Sequence, residues 1–279
     1  MTPLAATLHR LDRPPRIASL IITIWGDAVV PRGGSLWLGT LQAILDRFGC
    51  NPGQVRTAMS RLAEEGWLVR TRQGRLSFYR LGPRGAASFA AASRRIYAPP
   101  RAGLPPWDGA FRVVPAADPA LAEALAPRGF VPLEGWLIGT DGAPADLPAA
   151  APALLATPRS AAEAVALAAR AWPALAEVAA GYRRFAALSG PLADADIPAA
   201  EALPLRLLLV HEYRRLALRD PGLPSALLPA DWPGGEARAL AAGLYRRLVP
   251  AAEAWLDAEG RAEAGPLPPA DLAGRFGDV

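Results

Sequence analysis

The chain has 279 residues, 52% of them hydrophobic, enough to bury a large core and to build two or three domains. Its 26 glycines and 30 prolines accompany a full load of Leu, Val and Trp, which argues against a disordered chain, and the single cysteine, Cys50, excludes an intrachain disulfide framework. The net charge of +4 hides an uneven split: residues 1–97 carry 14 arginines against 5 acids, residues 98–279 carry 16 against 21, and there is no lysine.

Such a split suits one basic part for a polyanion and an acidic part for something else, although an ordinary solvated basic surface would look the same. The longest apolar run near the start, IASLIITIW, is about half the length that a bilayer requires. The opening MTPLAATLHRLDRPPR has no apolar stretch followed by a small-residue cleavage site. A soluble, cytoplasmic protein with no membrane partner is expected.

Residues 1–16 read as a loose arm, because Pro14 and Pro15 break any helix. IASLIITIWGDAVV reads as a first buried helix and VVPRGGS as a turn. Ser35 is a plausible N-cap for a second helix, LWLGTLQAILDRF, with Gly49 after its end. Asn51 followed by Pro52 is a strong helix start. In QVRTAMSRLAEEG the apolar residues Val55, Ala58, Met59 and Leu62 fall on one face. WLVRTRQGRLSFYRL then gives two short strands around Gln73 and Gly74. Three helices and a hairpin in about 65 residues, with only a short break between the second and third, predict a winged helix-turn-helix over 17–82.

Residues 83–106 read as a junction: a short helix, then the proline-rich linker APPRAGLPP. A small α/β middle domain, of ferredoxin-like type, is expected over 107–175, with the strand FRVV, a helix starting near Asp118, and a second strand in FVPLEGWLIG. Residues 176–262 are expected as an all-helical C-terminal domain, with Pro173 breaking the first helical block, and 263–279 as a frayed tail. The fold class is mixed α+β, mostly helical.

The outward face of the third helix carries Gln54, Arg56, Thr57, Ser60 and Arg61. Arginine can reach guanine at two points, glutamine can pair with adenine, and the hydroxyls suit bases or phosphates. Gln54, Arg56 and Thr57 are the first choices for base edges. The hairpin adds Arg70, Arg72, Arg75 and Arg80 with almost no acid between them, suited to a phosphate backbone or a minor groove. Such a helix face could also be a plain solvated surface; helix and hairpin together make duplex DNA the better reading.

SLIITIWGDAVVPRGGSLWLGTLQAILDRFGCNPGQVRTAMSRLAEEGWLVRTRQGRLSFYRL resembles the N-terminal domain of the PaaX family, repressors named for bacterial phenylacetic acid catabolism. Downstream, HEYRRLALRDPGLPSALLPADWPGGEAR resembles the C-terminal signature of the same family, and Trp107-Asp108-Gly109 with FRVV resembles the opening of its middle domain. The resemblance implies a homodimeric transcriptional regulator, often a repressor, released from DNA by a coenzyme A thioester such as phenylacetyl-CoA, with no catalytic residues. It carries the DNA-contacting role to Gln54, Arg56, Thr57, Ser60 and Arg61 and to the arginines around Gly74.

In the signature block, His211, Arg214, Arg215 and Arg219 fall along one side of a helix and could hold the phosphates of an acyl-CoA. They could equally pair with Glu212, Asp220 and Asp231 and hold the helices together. Zinc-ligand spacing, HExxH, GxSxG, Walker and GxGxxG sequences are absent, so no metal or cofactor is expected. Cys50 reads as a packed small residue rather than a redox group. Two other classes stay open: a metal-dependent nuclease-like enzyme using Asp108, Asp118 and Asp141 of the middle domain, and a winged helix used only for protein contacts.

Overall fold

The computed structural model describes residues 1–99, 106–116, 118–141 and 153–277. In chain order its elements are α1 (Pro3–His9), α2 (Ile17–Ile24), β1 (Ser35–Trp37), α3 (Leu38–Asp46), α4 (Pro52–Glu64), β2 (Leu68–Gln73), β3 (Leu76–Leu81) and α5 (Pro83–Tyr97). There follow β4 (Phe111–Pro115), α6 (Pro119–Leu125), β5 (Val131–Leu133), β6 (Trp136–Gly139), β7 (Leu154–Ala156), α7 (Ala161–Ala171), α8 (Leu175–Ser189), α9 (Ala199–Ala217), α10 (Gly234–Glu259), β8 (Arg261–Ala262) and β9 (Gly265–Pro266). The chain divides into two compact units: Met1–Pro99 with Tyr182–Leu218 and Gly235–Val279, and Pro100–Gly181 with Arg219–Gly234. The basic N-terminal segment and most of the C-terminal helices therefore share one unit, where the sequence pattern suggested separate domains over 17–82 and 176–262.

At the centre of the first unit lies α9. Every residue from Glu201 to His211 is buried, as befits a helix that is apolar nearly all round. α1, α2 and α5 pack against it. The expected loose arm is instead the helix α1: Thr2 Oγ1 accepts from Ala5 N, Leu4 is buried, and Leu4 N donates to Glu201 Oε2 at 2.9 Å. Pro14 and Pro15 interrupt the chain after this helix rather than within it. The expected frayed tail is also ordered through residue 277. β8 pairs with β9, and Phe276, 4% exposed, packs on Tyr97, Tyr213 and Tyr245.

α2 ends at Ile24, and the backbone continues as a π turn over Trp25–Val29 and a 3-10 turn over Val30–Arg32. Gly33 and Gly34, with φ of 84° and 79°, then reverse the chain. The π turn buries Asp27 against three distant segments. Its Oδ1 accepts from Tyr97 Oη at 2.9 Å and Arg275 Nη1 at 2.8 Å, and its Oδ2 lies 2.9 Å from Arg206 Nε. Arg206 also pairs with Glu253, which pairs with Arg32; Arg32 reaches Asp257 at 2.8 Å. Burial disfavours the Arg206 charge, but Asp27, Tyr245 and Glu253 more than offset this and raise its pKa.

Ser35 does not cap a helix; it opens β1, and α3 starts at Leu38. β1 pairs with β3 (Leu36 opposite Tyr79), so the hairpin β2–β3 becomes a three-stranded antiparallel sheet of order β1-β3-β2. The hairpin turn is Gly74–Arg75, one residue later than read. Only Gly74 has positive φ, 59°, as in a two-residue turn of type II′.

The second unit holds an antiparallel sheet of order β5-β6-β4-β7, with α6 connecting β4 to β5. Asp118 caps α6 as expected, accepting from Ala120 N at 2.9 Å. Phe111 and Ile138 of the sheet pack with Ala164, Ala168 and Trp172 of the α7 region and with Leu223 and Leu227. The segment 219–234 thus completes this unit, beyond the expected limit at 175. The sheet is antiparallel, which a ferredoxin-like fold requires. That fold also needs a helix before the last strand, and 142–152 lie outside the described residues, as does most of the expected linker (100–105). Trp172-Pro173-Ala174 separates α7 from α8, as Pro173 suggested. Among the described residues, no helix is long and apolar enough to cross a membrane.

Candidate nucleic-acid interface

Helix α4 owes its position to both of its faces. Val55, Met59 and Leu62 are buried, and the helix packs against α2 and α3. A capping box fixes its start: Gln54 N donates to Asn51 Oδ1 at 2.9 Å and Asn51 N to Gln54 Oε1 at 3.2 Å. Pro52 occupies the first turn, where its missing N–H costs nothing.

The opposite face presents Gln54, Arg56, Thr57, Ser60 and Arg61, all exposed. They differ in how freely they can act. Gln54 spends its side-chain oxygen on the cap, so two-point pairing with a base would require the cap to open. Thr57 Oγ1 donates to Gly53 O at 3.1 Å, Ser60 Oγ donates to Glu64 Oε1 at 3.0 Å, and Arg61 pairs with Glu65 at 2.9 Å. Arg56 makes no such contact among the described residues.

The hairpin shows the same division. Arg70 donates to Ser77 Oγ through Nε (3.2 Å) and Nη2 (2.7 Å) across the β2–β3 pair, which makes it a sheet brace. Arg72 and Arg75 are exposed beside and within the turn and carry no hydrogen bond or ion pair among the described residues. Arg80 is exposed on β3 opposite Val69. Arg84, which the sequence reading did not single out, opens α5 and stacks its guanidinium 4.8 Å from the Trp67 ring centroid. A Pro after Gly82 signals that helix start, but nothing local signals the stacking.

The four effector candidates are not brought together. His211 is buried, with Nδ1 2.9 Å from Thr23 Oγ1; burial, and then the nearby Arg214 and Arg215, push its pKa down to about 3, so the ring is neutral. Arg214 turns inward beside it, donating to Thr23 Oγ1 (2.8 Å) and to Ser19 O (3.0 Å) and Oγ (2.8 Å). Arg215 is exposed and pairs with Glu212 at 3.4 Å. Arg219 follows the end of α9, falls in the other unit and pairs with Glu177 at 2.9 Å.

The carboxylates weighed for a metal are occupied otherwise. Asp108 pairs with Arg112 at 2.6 Å, and that hydrogen bond lowers its pKa to about 2; Asp118 caps α6. Among the described residues no group of His, Cys, Asp and Glu could hold a metal ion. Cys50 is half-buried, which raises its thiol pKa and works against a reactive thiolate.

A family model described as PaaX-like protein matches residues 16–85, and one described as PaaX-like protein C-terminal domain matches residues 172–258. The Transcriptional repressor PaaX of Escherichia coli (strain K12) is 35% identical over 286 aligned positions, which cover 90% of this chain and 86% of that protein. The chain belongs to the PaaX-like family. The first match takes in α2, α3, α4 and the hairpin with Arg56, Arg72 and Arg75. The second takes in Arg206, His211 and Glu253. The two PaaX-like blocks thus meet in the first unit, through the ion pairs that surround Asp27.

Proposed function

We propose that this protein is a DNA-binding transcriptional repressor whose 17–82 segment acts as a winged helix-turn-helix. The observation that carries this reading is the set of exposed, unpaired guanidinium groups on α4 (Arg56) and at the hairpin turn (Arg72 and Arg75), within a segment that matches the PaaX-like family. Helix α4 enters a major groove with Arg56 on a guanine edge, and the turn arginines lie along the backbone. Thr57, Ser60 and Arg61 supply phosphate or base contacts at the flanks, and Gln54 chiefly holds the helix start. The working form is a homodimer on two half-sites, located in the cytoplasm. An acyl-CoA thioester of the phenylacetyl type releases the protein from the promoter of a catabolic operon. Similarity to a named transcriptional repressor supports the repressor role.

The test is retardation of the protein's own promoter fragment at moderate salt, with random DNA as competitor and with a panel of aryl- and alkyl-CoA thioesters added. Preference for the promoter fragment, lost on adding one thioester, is expected. Equal affinity for both DNAs would overturn the operator reading, and indifference to every thioester would overturn the effector.

A further inference from the structure

The first unit contains a cavity of about 190 Å³ whose lining includes Ile22, Trp67, Phe89, Ile96, Val210 and Arg214. Its walls come from α2, α5 and α9 and from the residue that precedes β2. The surface is largely apolar, and Arg214 is its one charged side chain. An apolar cavity of about 150 Å³ is known to accept a benzene ring. This one is large enough for one six-membered ring or a branched chain of similar bulk.

Arg214 is the anomaly. The buried arginines Arg32, Arg206 and Arg275 each have a carboxylate oxygen within 3 Å. Arg214 has none: its partners are the neutral oxygens of Ser19 and Thr23, and Nη1 makes no hydrogen bond among the described residues. Burial lowers its pKa and Arg215 adds to this, while Tyr97 and Glu212 offset only part of it. A partly desolvated guanidinium with no carboxylate in ion-pair contact among the described residues, on the wall of an apolar cavity, is matched by a ligand with an apolar body and an oxygen acceptor close behind it.

The cavity is also wired to the hairpin. Trp67 lines it, and Trp67 O accepts from Gly82 N at 2.8 Å, closing the hairpin base. There is no slack at this point. A Cβ on Gly82 would lie 2.4 Å from Gly66 O, and one on Gly85 would lie 2.6 Å from Trp67 O. Trp67 thus belongs both to the cavity wall and to the base of the hairpin that carries Arg72 and Arg75.

We propose that this cavity takes the acyl end of the effector: a single-ring or similarly bulky acyl group, its carbonyl or carboxylate oxygen on Arg214, whose occupancy shifts the hairpin through Trp67. The proposal rests on the effector-responsive reading given above, and it assigns the binding site that reading lacks. The shared chemistry, a ring followed by a carbonyl oxygen, exists both in a free arylalkanoic acid and in its CoA thioester.

The test is calorimetric titration of the full-length protein with phenylacetyl-CoA, phenylacetate and coenzyme A, for wild type, Ala92→Phe (which fills the cavity) and Arg214→Met. Hydrogen exchange of the wild type is run with and without the thioester, and an unfolding transition checks that each variant is folded. Expected are binding of the thioester but not of coenzyme A, loss of about tenfold or more in affinity in each folded variant, and protection confined to residues 22–26, 88–97, 210–218 and the hairpin. Tight binding of phenylacetate alone keeps the cavity and overturns the thioester as effector. Unchanged affinity in folded variants, or protection elsewhere only, overturns the cavity and leaves the effector reading standing. No binding of either acid or thioester by the wild type overturns both; if neither variant folds, the exchange pattern of the wild type alone decides.

Discussion

Asp27→Asn removes one negative charge from the most enclosed ionic site among the described residues. The Asp27 and Arg206 side chains are fully buried and that of Arg275 is 8% exposed, so solvent cannot replace the lost charge. The asparagine keeps an oxygen for Tyr97 and Arg275, but Arg275 is then left without a carboxylate partner among the described residues, and Arg206 has only Glu253, which it shares with Arg32. Breaking a buried pair from one side costs about 3–5 kcal/mol, against a total stability of about 5–15 kcal/mol. For a chain of this size that is a fall in Tm of about 6–20 °C. Urea titration followed by tryptophan fluorescence reads the loss as a lower midpoint, and Arg206→Met should match it. The double variant should cost less than the two single changes together by about 1 kcal/mol or more, since it removes the pair rather than stranding a partner. An Asp27→Asn protein within about 1 kcal/mol of wild type, or strictly additive variants, would refute the reasoning.

Arg56→Ala should cost about 1–3 kcal/mol on the preferred site and relax preference at one base pair, read by retardation on single-base variants. Arg75→Ala should weaken all sequences alike and reduce the salt slope by about 1; identical behaviour of the two would mean that helix and hairpin do not divide the work. His211, neutral in the fold with a pKa near 3, takes up a proton on unfolding below its ordinary 6.5. Stability is therefore full above pH 6.5 and declines as pH falls toward 3, so between pH 6.5 and 5 wild type should lose about 2 kcal/mol more than His211→Gln, measured by urea melts at each pH. A fragment of residues 1–99 should show no cooperative unfolding transition, because its Asp27 and Arg32 lack Arg206, Arg275 and Glu253; a sharp transition with retained DNA affinity would contradict this.

Helix α4 was legible because its signals are local: Asn51-Pro52 at the start, an apolar face of Val55, Met59 and Leu62, and Gly66, with φ of 74°, just beyond the end. The hairpin was legible to within one residue for the same reason, since Gly74 supplies the turn. Ser35–Trp37 was not. A three-residue strand has too short a pattern to declare itself, and what makes it a strand is β3, more than 40 residues away. The N-terminal arm and the tail were misjudged in the same way: both segments are short and lie beside prolines or glycines, and only Glu201 and the Tyr97–Tyr213–Tyr245 cluster give Leu4 and Phe276 a place. In the block His211–Arg219, helical spacing says which residues share a side, not which are inside. Arg214 turns inward, while Arg215 is exposed.

The threading of the first unit has a consequence for biosynthesis. The segment that carries Arg56 and the hairpin leaves the ribosome early, yet Arg206, Glu253 and Arg275, which neutralise its buried charges, follow more than 100 residues later. At about 5–20 residues per second the first third of the chain waits roughly 9–35 s for its last partner. A polypeptide that stops short bears α4 and the hairpin but lacks the partners of its buried charges.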